Sequence, residues 1–426
     1  MQSAPPSPSP ARAPVAPAIA VLPRRFGRYQ LFDRIGKGGM AEIYLARAAS
    51  ELGAERLVVV KQIHEALSRD ESFARMFIEE AKLCAGLRHA NVVQVLELGR
   101  EDGLLYMAME YVEGFDLHQL LARCSRAKVA LPAEFALFIV REVLAALDFA
   151  HRATDASGRA LGIVHRDVSP SNVLMSLEGE VKLCDFGIAR AAGAQEERRG
   201  DAKVVGKSAY MSPEHAHGEA LDARADVFAA GILSWELCAG RRLYRGSEEE
   251  MLELARRGEI PALPERGLPQ PEKLQAILDR ALARDRDARY ATAAEMRAEL
   301  DEYAHGARLF ASQIRFGAFL TDHFGEEFVK ERRARERAAR ALELGPPVRL
   351  EPIAMPPAPP ALAEIDTDRN IRRDEDTVPE AKALPAPESE PSVRPVGAPR
   401  RSRALVVGAL AATTIVIALL IALMSR

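Results

Sequence analysis

His165-Arg166-Asp167-Val168-Ser169-Pro170-Ser171-Asn172 is the stretch on which the reading of this chain turns. Asp167 can accept the proton of a hydroxyl group, and Asn172, five residues on, can offer an oxygen to a hard cation such as magnesium. A base and a metal-holding amide on one short segment raise the question of an enzyme at once.

The loop sits in a chain of 426 residues, long enough for two domains or for one large domain with appendages. Apolar residues make up 48%, enough for a sizeable core. The formal charge of -3 is nearly balanced, and no basic stripe argues for nucleic acid. Cys84, Cys124, Cys184 and Cys238 lie far apart without a CxxC pair or metal spacing, and read as reduced thiols filling a cytosolic interior.

Residues 1–28 form a Pro/Ala-rich arm that reads as disordered, and no apolar run follows Met1 to make a secretory signal. Ala404 to Met424 is different: it carries no charged residue. As a helix it would be about 31 Å long, against a hydrocarbon core of about 30 Å. Arg400, Arg401 and Arg403 precede it, so the positive-inside rule leaves everything before it in the cytoplasm. The expectation is a single-pass protein of the cell (inner) membrane, anchored near its C-terminus. Residues 345–403, dense in proline and charge, read as the flexible tether to that anchor. Only Ser425 and Arg426 follow the run, so input is expected from the cytoplasm, the membrane or a partner.

Residues 29–303 carry the globular pattern. Leu57-Val58-Val59-Val60-Lys61 and Leu104 to Met109 have strand length and composition, whereas Phe73 to Leu87, Ala133 to Ala150 and Asp226 to Ala239 have helical spacing of apolar positions. Strands first and helices second predict an α+β arrangement or two lobes. Residues 304–344 read as a helical extension, with Phe310, Ile314, Phe319, Phe324 and Phe328 at loosely helical intervals ahead of a Glu/Arg/Ala stretch. An annex packed on the preceding domain is preferred to an independent partner-binding module.

Transfer of a phosphoryl group from a nucleotide asks a protein for a phosphate cradle, a cation, metal-holding groups and a base. Gly36-Lys37-Gly38-Gly39-Met40-Ala41-Glu42-Ile43 fits G-x-G-x-x-G-x-V, with alanine for the third glycine. Missing Cβ atoms there let backbone N–H groups approach phosphate oxygens. Lys61 ends the apolar strand that follows, and a lysine so placed needs a carboxylate. Glu80 is the candidate, with Glu79 about 100° away on the same helix as runner-up. Asp185-Phe186-Gly187 follows the alternating strand Val181 to Cys184, and Asp185 makes with Asn172 a two-oxygen site of the kind magnesium takes.

These five motifs, in this order and spacing, resemble the eukaryotic-like (Hanks-type) protein kinases. The chain is similar to the bacterial membrane-anchored serine/threonine kinases, and H-R-D-V-S-P with the insert Thr154 to Gly162 resembles myxobacterial members. The resemblance covers residues 29–303. It implies a bilobal fold, β-rich then helical, and the use of ATP and Mg2+ to phosphorylate protein substrates and the chain itself in bacterial signalling. Dimerisation is compatible with it.

It also implies roles residue by residue. Asp167 is the base, Asn172 and Asp185 hold metal, and Lys61 with Glu80 orders the phosphates. Ile35, Gly36, Lys37, Gly38, Gly39 and Ile43 cover the nucleotide. Val59 stands where the family usually has alanine; Met109 is the gatekeeper, Glu110 to Val112 the adenine-binding hinge, and Leu174 an adenine-packing residue. Ser212-Pro213-Glu214 matches A-P-E, whose glutamate would pair with Arg289, and Asp226 and Gly231 match the helix that anchors the catalytic loop.

Two departures stand out. Ser169 replaces a lysine that touches the transferring phosphoryl group in the family, and Gly206-Lys207 replaces a glycine-threonine pair. A lysine lost from one side and gained on the other suggests that the Lys207 ammonium sits where the missing one would. The alternative is that Ser169 weakens catalysis, which at its extreme gives a membrane-tethered, nucleotide-binding pseudokinase scaffold. Ile188 to Val205 contains no Ser, Thr or Tyr; Glu196, Glu197 or Asp201 would supply a standing charge to Arg166, and Ser208 is the nearest modifiable hydroxyl.

Overall fold

The computed structural model describes residues 22–49, 55–186 and 208–343. Six strands, β1 (Arg24–Phe26), β2 (Tyr29–Lys37), β3 (Ala41–Ala49), β4 (Glu55–Ile63), β5 (Val95–Glu101) and β6 (Leu104–Glu110), form one antiparallel sheet in the order β1-β2-β3-β4-β6-β5. Strand alternation divides β4 between two faces. Val58 and Val60 enter a small core with Phe26, Tyr29, Tyr44 and Tyr106, whereas Ile63 joins the main core. Lys61 shares the parity of Ile63 and so faces the interior of the molecule.

Helices α1 (Glu65–Ser68) and α2 (Glu71–Ala85) follow β4. Asp70 caps α2 by accepting from the Ser72 and Phe73 N–H groups. Phe73, Phe77 and Ala81, four residues apart, then bury one face of the helix in the main core.

A short link after β6 leads into the second, mainly helical lobe. It contains β7 (Gly114–Asp116), α3 (Leu117–Ala127), α4 (Ala133–His151), the hairpin β8 (Val173–Ser176) and β9 (Val181–Leu183), α5 (Pro213–Ala216) and α6 (Ala223–Ala239). Then come α7 (Glu248–Arg257), α8 (Pro271–Ala281), α9 (Ala293–Gly306) and α10 (Gln313–Glu343). Every residue of α6 from Ala225 to Ala239 is buried, and Trp235 is 0% exposed. A helix buried all round is the centre of its lobe. The bilobal, β-then-α reading therefore holds, and its strands and helices fall where the periodicity places them.

The extension after 303 is corrected in two respects. Ala304 belongs to α9, and the chain breaks before α10 begins at Gln313. The break is a Schellman turn: Arg308 takes φ 57°, its N–H bonds to His305 O, and the Leu309 N–H reaches Ala304 O at 2.9 Å. Ser312 then starts α10 by accepting from the Arg315 N–H. The buried stripe of α10 is Phe316, Leu320, Phe324 and Phe328, whereas Phe310 and Ile314 are 53% and 82% exposed. Ile314 lies about 200° round the helix from Phe316, so the two cannot share a face.

α10 is an annex packed on the rest of the domain. Phe316 lies 5.4 Å from Phe135 and 5.7 Å from Phe138 on α4, and Phe328 lies 5.9 Å from Phe115 on β7. Two glycines permit the contact. A Cβ on Gly179, at φ +83° in the β8–β9 turn, would lie 2.0 Å from Gln313 O, and one on Gly317 would lie 2.7 Å from the Glu178 backbone.

No helix among the described residues is long and apolar enough to cross a membrane. The run Ala404 to Met424, residues 1–21 of the arm, the tether and the segment from Gly187 to Lys207 lie outside the described residues. The end of the arm is corrected: Arg24–Phe26 is strand β1, paired with β2, because Phe26 enters the small core of the strand lobe.

Candidate active site

The loop from His165 to Asn172 is held by one carboxylate. Asp226, in the first turn of α6, accepts from the His165 N–H through Oδ2 at 2.7 Å and from the Arg166 N–H through Oδ1 at 2.8 Å. His151 Nε2 lies 2.8 Å from the same Oδ2. Burial pushes the Asp226 carboxyl up, but the His151 hydrogen bond and the charges of His151 and His165 outweigh it and hold it below the ordinary value. Gly231, one turn further along α6, lets Leu282 and Ala281 approach; a Cβ there would meet them at 3.0 and 3.1 Å.

That anchoring sustains strain. Arg166 and Asp185 sit at φ 67° and 62°, left-handed values that cost a non-glycine residue about 1–3 kcal/mol. Their two segments are bound to each other: His165 Nε2 lies 2.9 Å from Cys184 O, and the Cys184 N–H donates to Asn172 O at 2.9 Å. The Phe186 ring packs edge-on against His165 at 4.5 Å. From the other lobe the Cys84 thiol of α2 donates to Phe186 O at 3.0 Å, so this cysteine tethers backbone as well as filling space.

Lys61 crosses the cleft. Its Nζ lies 2.8 Å from Asp185 Oδ1, with the lysine 7% exposed. Glu79 is exposed, so the runner-up partner for Lys61 points to solvent. Glu80 lies on α2, but its side chain is outside the described residues. Asn172 is 8% exposed and donates Nδ2 to Asp167 O at 2.7 Å. Its amide nitrogen is thereby occupied, and its oxygen is the atom left to face a cation. A carboxamide oxygen beside a carboxylate is a hard-donor set that fits magnesium completed by phosphate and water.

The turn between β2 and β3 is closed by the Gly38 N–H on Ala41 O at 2.9 Å, and His64 Nε2 lies 3.0 Å from Gly38 O. A Cβ on Gly39 would meet nothing within 4 Å. The demand for glycine there is not set by the fold's own packing, as suits backbone that has to approach a ligand. Ala41, the departure at the third glycine, is 5% exposed in the main core, so its methyl faces the lobe interior. Gly36 and Ile43 are paired across the same hairpin, Lys37 is exposed beside them, and Ile35 is 42% exposed.

Val59, Val112 and Leu174 are partly buried, whereas Met109 is 8% exposed. Glu110 accepts from Lys182 Nζ at 3.0 and 3.2 Å, which ties the link between the lobes to β9. Sequence reading missed Lys182; the signal was one cation in the otherwise apolar alternation of Val181 to Leu183. Ser169 is buried, with its hydroxyl 3.1 Å from that of Ser171. Lys207 lies outside the described residues. Ser208 is corrected as a modifiable hydroxyl: it is 5% exposed, and its N–H and hydroxyl both bond to Glu248 Oε1.

The carboxylate of Glu214 meets Arg289 as the motif implied, at 2.7 and 2.8 Å. Such an arrangement can orient a phosphorylated nucleotide, place a base beside a hydroxyl and hold a divalent cation.

Comparison with known proteins agrees. The family model "Protein kinase domain" matches residues 29–299. The tyrosine-protein kinase MasK of Myxococcus xanthus is 38% identical over 328 residues, 76% of this chain and 51% of MasK. The serine/threonine-protein kinase PknB of Mycobacterium tuberculosis is 35% identical over 287 residues, 66% of this chain and 43% of PknB. The chain thus spans about half the length of these curated relatives, or less. A crystal structure of a double mutant of the M. tuberculosis PknI kinase domain covers 66% of this chain and 98% of its own, with TM-score 0.51 and 29% identity. With its motifs on both sides of one cleft and a family match over most of its folded part, this chain belongs to the protein kinase family.

Proposed function

We propose that the chain transfers the γ-phosphoryl group of ATP to serine or threonine hydroxyls of proteins, itself included, in bacterial signalling. The observation that carries this reading is the cleft crossing. Lys61 of the strand lobe meets Asp185 of the helical lobe at 2.8 Å, beside a loop whose Asn172 binds its amide nitrogen to Asp167 O. Asp167 accepts the proton of the attacking hydroxyl, while Lys61 and the turn around Gly38 orient the phosphates. Magnesium, held by Asn172 and Asp185, supplies charge neutralisation of the phosphate oxygens when bound. Asp226 keeps Asp167 in place by fixing the backbone two residues before it.

The serine/threonine assignment is supported by relatives such as PknB, and by the absence of the A-A-R or R-A-A wording in the catalytic loop. A tyrosine acceptor is the second reading, favoured by the 38% identity to MasK. The apolar run Ala404 to Met424 supports a single membrane anchor with the kinase domain on the cytoplasmic side.

Incubation of the purified chain with γ-labelled ATP and magnesium, followed by phosphoamino acid analysis, tests the activity. Label on serine or threonine, lost in Asp167→Asn, is expected. Label on tyrosine alone overturns the acceptor class, and nucleotide binding without label establishes the scaffold instead.

A further inference from the structure

The hinge is not bare in this protein. Tyr111, Glu113 and Phe115 alternate along the extended link and present one side of it. α10 runs against that side. Phe328 lies 5.9 Å and Phe324 6.3 Å from the Phe115 ring. Arg332 Nε lies 3.6 Å from Glu113 Oε1, and Arg335 Nη1 donates to the Tyr111 hydroxyl at 2.9 Å. Phe324, Phe328, Arg332 and Arg335 succeed one another at helical spacing of four, four and three residues, so a helical stripe is matched to a strand-like stripe.

Arg335 does more than end the stripe. Its Nε lies 3.7 Å from Asp33 Oδ2 on β2, the strand that leads into Gly36 to Gly39. Between Asp33 and the hinge, the Tyr111 ring packs on Phe32 and Leu45 of the strand lobe. One guanidinium therefore holds the adenine-side link and the strand bearing the phosphate turn, while its own helix is fixed to the helical lobe. That second attachment is made by Phe316 on α4 and by Arg123 of α3, whose side chain lies 3.0 Å from Glu331 and 4.2 Å over Phe115. Burial pushes the Tyr111 hydroxyl up while the Arg335 charge opposes it, so the phenol stays neutral and can accept.

We infer that Arg335 is a positioning residue for nucleotide: α10 braces the hinge, and Arg335 sets the distance between the hinge and the phosphate turn. This rests on the kinase reading but concerns the nucleotide step alone. Without Arg335, β2 and Tyr111 lose their common partner, and the cleft samples more open arrangements that bind nucleotide less well.

The test uses the full chain and four variants, Arg335→Ala, Tyr111→Phe, the two combined, and Arg315→Ala. Arg315 lies on the same helix but pairs with Glu134 of the helical lobe. Arg335→Ala is expected to raise KM for ATP, and Kd for a fluorescent ATP analogue, about tenfold with kcat nearly unchanged, the effect of losing one charged hydrogen bond. Tyr111→Phe should do the same, the combined variant should add little to either, and Arg315→Ala should leave both constants alone. A nucleotide Kd within twofold of wild type in Arg335→Ala, or additive effects in the combined variant, overturns the inference. Tyr111→Phe keeps the test intact should Arg335→Ala fold poorly. If wild type binds the analogue but labels no protein, the kinase reading fails while the Kd comparison still decides the role of Arg335.

Discussion

Arg289 is fully buried and holds both carboxylate oxygens of Glu214, at 2.7 and 2.8 Å, while its remaining donors go to the Ala283, Arg284 and Arg224 carbonyls. Burial pushes the Glu214 carboxyl up, and the Arg289 hydrogen bonds outweigh it and hold it low. Removing one partner strands the other charge, which costs about 3–5 kcal/mol. Arg289→Met should therefore lower the thermal midpoint by well over 5 °C, read by calorimetry. A shift of only a degree or two would mean that the pair is not a buried clamp in solution.

Acid should act in two stages. Burial lowers the pKa of His89 and of His215 from the ordinary 6.5, so below that value the unfolded chain takes protons that the folded chain refuses. Stability is then lost as pH falls from about 6.5 through the lowered values. Asp226 and Glu214, with pKa values below the ordinary 3.8 and 4.5, contribute fully above those values. Their contribution disappears as pH falls through the lowered folded values. Thermal midpoints measured between pH 8 and 5 should decline less steeply in His215→Gln than in wild type. Identical slopes would remove His215 from the account.

Ser169 and Lys207 form the third test. If the Lys207 ammonium takes the place of the missing catalytic-loop lysine, kcat for Ser169→Lys, Lys207→Thr and the double variant will show coupling of at least about 0.5 kcal/mol. Strictly additive effects on kcat would sink the exchange and leave Ser169 as a simple loss.

The seat of α10 depends on backbone contact that a single methyl would disturb. Gly179→Ala adds both strain at φ +83° and a Cβ 2.0 Å from Gln313 O. A destabilisation of about 1–3 kcal/mol is expected in denaturant titrations. A neutral effect would show that the β8–β9 turn does not bear on α10.

The two lobes were legible because local patterns carried them: β4 read as an apolar run, α4 and α6 as helical periods, and the catalytic loop as a spaced motif. The Glu214–Arg289 and Asp226 contacts were legible only through the resemblance, since no local rule joins residues so far apart. The seating of α10 was not legible. Its N-terminal boundary rests on Arg308 in a conformation usually given to glycine, and without that boundary Phe310 and Ile314 looked like members of the buried stripe. Arg335 read as one charge among many in a Glu/Arg/Ala stretch, because its partners Tyr111 and Asp33 come from the opposite end of the chain. Cys84, taken as filler, gave no sequence signal for its bond to Phe186 O.

The family match ends at residue 299, yet the folded unit does not. Phe115, Phe135 and Phe138 are at most 8% exposed, and α10 supplies ring contacts to all three. A protein cut after residue 303 to keep only the homologous part would turn these rings to water as one adhesive patch. Its tendency to self-associate would then be mistaken for a property of the kinase, when it is the signature of a missing wall.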